Sequence, residues 1–389
     1  MKKVAIISFF HTESSICLTK YLAKQGVAVD FYYVANLLHD RKGTSGFEYP
    51  NAKRLVGDHL LKPKESPEIY EYMEKYPVRI FLTRIIHHSR YPILHHFLIK
   101  LFMLQIKYRK YEAINIVGQS SWIEDTHEVF KNENLIHTFH EIGNKEGVLH
   151  PLEIVTRAIV DKSKVILHSQ SMYERFLHIP GADSQKTTMI PFGKFETCRL
   201  YVKEMDLKLP FGINKPILLF YGYIAPYKGL DILAEAIEKL KNIWSRFNIV
   251  VAGNGEDPSL QYFRTLPNSF VMNRFLSNDE MMNLIRMSSI ILLPYKSASQ
   301  TGIVPTCTLY GKPVIATTVG AFPENITDGK NGLLVPPNNP AKFAEAIERL
   351  LNNKNLLQIL SQGALQYGCD DQFNWDEIAK RTLKFYEGQ

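Results

Sequence analysis

The chain has 389 residues, 45% of them hydrophobic and 22% charged, which is too long for one hydrophobic core and has the balance of an ordinary globular protein of two domains. Its four cysteines, Cys17, Cys198, Cys307 and Cys369, lie far apart with no Cys-x-x-Cys pair, which argues against a disulfide framework or a zinc site and suits a reducing, cytoplasmic setting. The net charge of +7 comes without a nucleic-acid motif, and no apolar run approaches the ~20 residues of a membrane span, so neither nucleic acid nor integral membrane insertion is expected.

The opening MKKVAIISFFHTESS has the lysines and short apolar run of a signal peptide, but it turns polar at His11 and lacks a small-residue cleavage site, so it reads as a first strand. VAVDFYYV, AINIVGQ, LIHTFHEIG and VILHSQS are further short apolar strands. Helical stretches such as SSICLTKYLAKQG and LEIVTRAIVDKS lie among them, as in a Rossmann-like domain over 1–195. Within it, residues 75–111 contain no acidic residue but carry Lys75, Arg79, Arg84, Arg90, Lys100, Lys107, Arg109 and Lys110 among many aromatics. Such a segment either lies on an anionic membrane surface or forms a core-facing helix with a solvated basic side, and the sequence leaves both open. All 13 histidines fall in the first 178 residues, which places any histidine proton chemistry in this half.

The irregular stretch 193–215 holds the linker. Beyond it, PILLFYGYI, LDILAEAIEKLKNIW and FNIVVAGNG form a βαβ unit. The pattern recurs in FVMNRF, NDEMMNLIRMS and SIILLPY, and again in TGIVPTCTLY and PVIATTVG, with Gly311 before Pro313 as a helix stop. A second doubly wound parallel sheet follows over 196–372, with ligands expected at the carboxyl ends of its strands. The last stretch, 373–389, is a helix expected to dock back on the first domain.

Three loops of the second domain converge on those strand ends by topology. GYIAPYKG offers Gly222, Tyr223 and Lys228, a cation able to reach a phosphate. AGNGED offers Gly253, Asn254 and Gly255, where backbone can approach a ligand. SASQTG offers Ser299, Gln300, Thr301 and Gly302 at a helix start, an expected anion site. Arg274 and Phe275 in the NRF turn are expected near a base.

These residues, in this order and spacing, resemble the nucleotide-sugar domain of the GT-B glycosyltransferases, most closely the retaining family four. That pattern is a strand, Gly-Arg, four residues, Lys-Gly; a Gly-x-Gly loop; Glu, seven residues, Glu; then Gly-x-Pro-Val and a Gly-Gly-x-x-Glu turn before Gly-Leu-Leu-Val. YGYIAPYKGLDIL and GKPVIATTVGAFPENITDGKNGLLVPP carry the match over about 216–352, with Glu324 in the expected turn and looser echoes in HTFHEIG and IPFG. The resemblance implies two Rossmann-like domains facing across a cleft and transfer of a sugar, with retention, from a UDP- or GDP-linked donor. It implies an acceptor held between the domains; with the basic aromatic segment 75–111 read as facing a membrane, that acceptor is expected to be a glycan or lipid-linked, in membrane-associated polysaccharide or glycolipid synthesis at the inner face of the cell membrane. His140 matches the family's sugar-site histidine. Lys228 and the Thr301 and Gly302 amides would hold the departing diphosphate. His11 and Glu141 are expected on the acceptor side.

The chain departs from the pattern at three positions. The two glutamates fall on Ala298 and Thr306, and the phosphate-binding arginine on Tyr223. The donors for a diphosphate persist while acceptors for sugar and ribose are gone, so Ser297, Ser299, Gln300 and Thr301 would substitute neutrally, with Glu324 remaining. No Asp-x-Asp pair is present, so no metal and no cofactor is expected. A catalytically silent nucleotide-sugar binder and a sugar-nucleotide epimerase of the same fold are the alternatives. An NAD-dependent oxidoreductase lacks its Gly-x-Gly-x-x-Gly after the first strand.

Overall fold

The computed structural model describes residues 1–9, 11–36, 57–85, 92–118, 123–142, 163–200, 202–212, 214–369 and 371–389. The helix expected over 152–163, all but its last residue, and the basic Arg90 lie outside the described residues. Two compact units form. The first takes the described residues up to 200 and from 371 onward, and the second those from 202 to 369.

Among the described residues the first unit has eight strands: β1 (Lys3–Ser8), β2 (Ala28–Asn36), β3 (Gly57–Leu60), β4 (Val78–Ile85), β5 (Ala113–Val117), β6 (Leu135–Phe139), β7 (Lys164–Leu167) and β8 (Thr187–Met189). They run in the order β3-β4-β2-β1-β5-β6-β7-β8, parallel except for the antiparallel edge strand β3. Continuous apolar runs suit strands covered on both faces. On one face Ile16, Cys17 and Leu22 of helix Thr12–Lys24 pack with Trp375, Ile378 and Tyr386 of the terminal helix Trp375–Glu387. Polar ties reinforce this: Asn115 Nδ2 donates to Tyr386 Oη at 2.7 Å, and Arg381 donates to the Met189 carbonyl at 2.7 Å. On the other face lie Ile99, Phe102, Met103 and Ile106 of helix Pro92–Tyr108.

That helix carries apolar residues on more than one side, besides Lys100 and Lys107. Its buried positions follow i, i+3, i+4, i+7, while Ile93, Leu94, Phe97, Leu101, Leu104 and Tyr108 on the other side are 85, 56, 58, 43, 39 and 81% exposed. Its basic neighbours find partners elsewhere in the unit. Arg79 grips Asp30 at 2.7 and 2.5 Å, Arg109 pairs with Asp58 at 3.0 Å, Lys100 with Glu128 at 2.6 Å, and Lys107 with Glu133 at 3.6 Å. Much of the charge counted along 75–111 is thus matched by acidic residues distant in sequence.

The second unit carries β9 (Ile217–Tyr221), β10 (Asn248–Ala252), β11 (Ser269–Met272), β12 (Ile290–Leu293), β13 (Val314–Thr317) and β14 (Gly332–Val335), all parallel, in the order β11-β10-β9-β12-β13-β14. The expected helix from Leu230 runs as Leu230–Lys239 and tightens into a 3-10 turn over Lys241–Arg246. Helix Ile303–Cys307 is a short one, continued by a 3-10 turn to Tyr310 and ended by left-handed Gly311. Among the described strands each sheet has one place where strand order reverses. In the first it lies between the carboxyl ends of β1 and β5, in the second between those of β9 and β12, the two positions where an open α/β sheet leaves a crevice for a ligand.

Candidate functional site

In the second unit the segment after β9 and the segment after β12 meet at the order reversal. Lys228 ends a 3-10 turn (Pro226–Lys228) and is only 7% exposed, with its ammonium 5.2 Å from the centre of the Tyr295 ring. A Cβ added to Gly222 would stand 2.8 Å from the Lys228 Nζ, so the missing side chain is what admits the cation. Tyr295 is buried, its hydroxyl has no hydrogen-bond partner among the described residues, and burial pushes its ionisation well above the ordinary tyrosine range. Nothing in the local sequence marks Tyr295 as part of the site; its place beside Lys228 comes from the β9–β12 pairing.

Gly253 and Gly255 serve the packing of one loop on another. At Gly253, where φ is +148°, a Cβ would lie 1.8 Å from the Gly222 carbonyl oxygen, and the Ile224 amide donates to the Asn254 carbonyl at 2.8 Å. Asn254 and Tyr223 are exposed beside this seam. Arg274 makes a bidentate pair with Glu280 at 3.0 and 2.5 Å, which draws the Glu280 carboxyl down to about 2 and ties the NRF turn to the capping box of helix Asn278–Met287. Phe275 beside it is 52% exposed.

The helix start after β12 is partly self-capped. Gln300 Oε1 accepts from the Thr301 amide at 2.6 Å, and Thr301 Oγ1 accepts from the Ile303 amide at 3.1 Å. An anion at the Thr301 and Gly302 amides must therefore displace the Gln300 side chain, whose Nε2 is buried with no partner among the described residues. Ser299 and Thr301 are buried. Thr306, at one of the glutamate positions, turns its hydroxyl onto the Gly302 carbonyl at 2.7 Å and so serves its own helix. Ala298 offers no polar group, and its carbonyl lies where a Cβ on Gly320 would fall, 2.1 Å away. Glu324 sits half-buried in the first turn of Phe322–Asn325.

In the first unit three histidines gather at and beside the β1–β5 reversal. His11 follows β1 and stacks on His140, which follows β6, with ring centroids 3.5 Å apart and planes 5° from parallel. Gly118, after β5, makes the seat: its φ is +95°, and a Cβ there would come within 2.4 Å of the Phe9 carbonyl oxygen and 3.1 Å of the His11 ring. Phe192 lies 5.0 Å from His140 and 3.8 Å from His168, and the His140 and His168 rings are 4.7 Å apart. Burial, with His11 and His168 alongside, holds His140 well below the usual histidine range, and burial brings His168 down to about 4. Both rings are neutral at pH 7. Glu141 is half-buried beside His140. Glu13, in the first turn after His11, is raised to about 7 by desolvation. His168, Phe192, Gly118 and Glu13 were not singled out by sequence spacing; only the IPFG echo pointed toward Phe192.

Among the described residues no group of three His, Cys, Asp or Glu side chains is arranged to hold a metal ion, and no helix is long and apolar enough to cross a membrane.

Residues 215–353 match the family described as Glycosyl transferases group 1. An uncharacterized glycosyltransferase of Methanocaldococcus jannaschii is 31% identical over 193 residues, covering 45% of this chain and 52% of that protein. The chain spans about half the length of the curated relatives at the head of the comparison. Among solved structures, sucrose-phosphate synthase of Thermosynechococcus elongatus aligns with a TM-score of 0.67 at 17% identity, over 100% of this chain and 98% of the other. HepE of Anabaena, solved in complex with UDP, aligns with a TM-score of 0.64 at 16% identity over all of both chains.

Proposed function

Residues 215–353 form a domain of the group 1 glycosyl transferases within a chain of GT-B fold, and from this premise we propose that the protein moves a sugar from a nucleoside diphosphate sugar to an acceptor. The observation that carries the reading is Lys228, a lysine placed with little exposure at the β9–β12 reversal, on a seat that Gly222 leaves open. A carbohydrate leaves its nucleotide as an oxocarbenium-like centre while negative charge grows on the diphosphate. A fixed cation in a low-dielectric site stabilises that charge more than one in water would. Lys228 fills the role a metal plays elsewhere, so the reaction runs without one and, in keeping with family four, with retention. His140, neutral and held between flat rings, is assigned to the donor sugar, where a neutral imidazole exchanges a hydrogen bond without adding charge. His11 and Glu141 are assigned to the acceptor. HepE, with its bound UDP, favours a uridine donor.

The acceptor is read as a lipid-linked glycan or surface polysaccharide precursor at the cytoplasmic face of the membrane. What supports this is the outer side of helix Pro92–Tyr108, with six large apolar side chains at helical spacing turned away from the core. The strip is about 25 Å long and 10 Å wide, well short of the ~800 Å² per partner of a standard protein interface, so a lipid surface suits it better than a second copy of the chain.

The test is a thermal-shift panel with UDP, GDP, ADP, CMP, dTDP and NAD on the protein and on Lys228→Ala. A diphosphate at a hundred times its dissociation constant should stabilise the protein by about 2.7 kcal/mol, and the variant should lose that response. Silence toward every diphosphate overturns the reading. Binding of a nucleotide sugar with neither transfer nor slow donor hydrolysis would instead indicate a silent binder, the second reading favoured by Ala298 and by the self-bonded Thr306.

A further inference from the structure

Beside His140 the first unit has a half-open pocket with about 30 Å³ of room for water-sized groups. Its wall includes the rings of His140, His168 and Phe192, the hydroxyl-bearing Ser15 and Thr138, and Trp375 of the terminal helix. That volume admits a water molecule, and a buried water needs two or more polar partners. Two are at hand. His140 Nε2 and His168 Nε2 are each buried and have no hydrogen-bond partner among the described residues, and His168 as a whole is only 8% exposed.

The chemistry of His168 is decided by its other nitrogen. Nδ1 lies 2.8 Å from the carbonyl oxygen of Ile190, which can only accept, so Nδ1 carries the ring hydrogen and Nε2 presents a lone pair. A bridging water would give one hydrogen to this lone pair and keep its other hydrogen and its own lone pairs for a neighbour.

We propose that His168 is a positioning residue for His140, acting through one buried water in this pocket: the water donates to His168 Nε2 and accepts from His140 Nε2–H. In that arrangement His140 holds the Nε2–H tautomer. Its Nδ1 becomes the nitrogen available to a ligand, and it presents a lone pair that accepts from a hydroxyl. The ring plane is already set, by stacking on His11 at 3.5 Å and on Phe192 at 5.0 Å, so tautomer and ring flip are the freedoms left for His168 to remove. The ligand class that follows is a neutral hydroxylated group, and an anion is disfavoured there because two lone pairs would meet. This rests on the reading of His140 as a donor-sugar contact, but the tautomer itself exists without any substrate.

The experiment is nitrogen-15 NMR of ring-labelled histidine in the full chain without ligand, in the native protein, His168→Phe and His168→Gln. The native protein should show His140 with a protonated Nε2 and a pyridine-type Nδ1. His168→Phe removes the acceptor and should shift both His140 nitrogens toward the averaged values of a mixed tautomer. His168→Gln, which can offer an amide oxygen to the pocket, should restore the native pattern. A native His140 protonated on Nδ1, or a pattern untouched in His168→Phe, overturns the proposal. Titration with UDP-glucose then separates the two readings. A tautomer that responds to His168→Phe while no nucleotide sugar perturbs His140 leaves the positioning pair standing and removes the transferase assignment. Perturbation by the sugar with an unresponsive tautomer does the reverse.

Discussion

His168 is a buried titratable side chain and Glu13 a half-buried one of opposite kind, and they set opposite pH dependences. The Glu13 carboxyl is raised to about 7, so the folded chain holds a proton there that the unfolded chain releases near 4.5. Its favourable contribution is complete below pH 4.5 and is lost as pH rises through 7. Glu13→Gln should therefore raise the melting temperature at pH 8 and leave it little changed at pH 4.5, as calorimetry at the two pH values would show. His168 is lowered to about 4 from the ordinary value near 6.5, so its neutral form stabilises the fold above pH 6.5 and that contribution is lost as pH falls toward 4. The loss is on the order of 3 kcal/mol, and denaturant titrations of His168→Phe between pH 7 and 4 should show that part of the acid sensitivity gone. Neither residue could be picked from the sequence. A His in VILHSQS and a Glu in HTESS look like many others until the sheet brings β1, β6 and β7 together. Lys228 was legible, because a Gly, five residues and a Lys before a helix form a local pattern.

Local elements carry their own tests. Where the β9 and β10 loops interlock, Gly253→Ala would drive a Cβ into the Gly222 carbonyl, and strain of this kind costs about 2 to 4 kcal/mol in urea unfolding and displaces the seat of Lys228. The outer side of helix Pro92–Tyr108 behaves in the opposite way. Phe97, Leu101 and Leu104 are 58, 43 and 39% exposed, so replacing all three with Ser should leave the melting temperature within a few degrees of native and abolish sedimentation with anionic vesicles; unchanged sedimentation removes the membrane reading. Since Lys107 donates to the Val129 carbonyl at 2.7 Å and Arg109 pairs with Asp58, charge reversal at those positions would damage the first unit before it reported on lipid. Since the outer strip is apolar and Arg79, Lys100, Lys107 and Arg109 are already paired, binding through this helix should persist at high salt. The basic amphipathic texture of 75–111 was visible along the chain. Which of its sides faces the core was not, because apolar residues lie on more than one side of the helix and their periodicity does not choose a face.

At the scale of the whole molecule, the terminal helix Trp375–Glu387 belongs to the first unit although it follows the second in sequence. Trp375 and Ile378 enter that unit's core and line the pocket beside His140. Truncation after Asp370 should therefore lower the unfolding temperature of the first unit and disturb the His140 resonances, while the second unit keeps its response to a nucleoside diphosphate. The alternation of buried parallel strands with amphipathic helices, the turn glycines and the spacing of Lys228 and Glu324 were already written in the residue order. Each depends on neighbours a few positions apart or on a period of two or 3.6. The stacking of His11 on His140, the lone pair of His168, the Tyr295 ring beside Lys228 and the pairing of Arg79 and Arg109 with distant carboxylates were not. They join residues that chain order separates by tens to more than a hundred positions. Strand order brings them together, and burial then decides which nitrogen or oxygen is protonated.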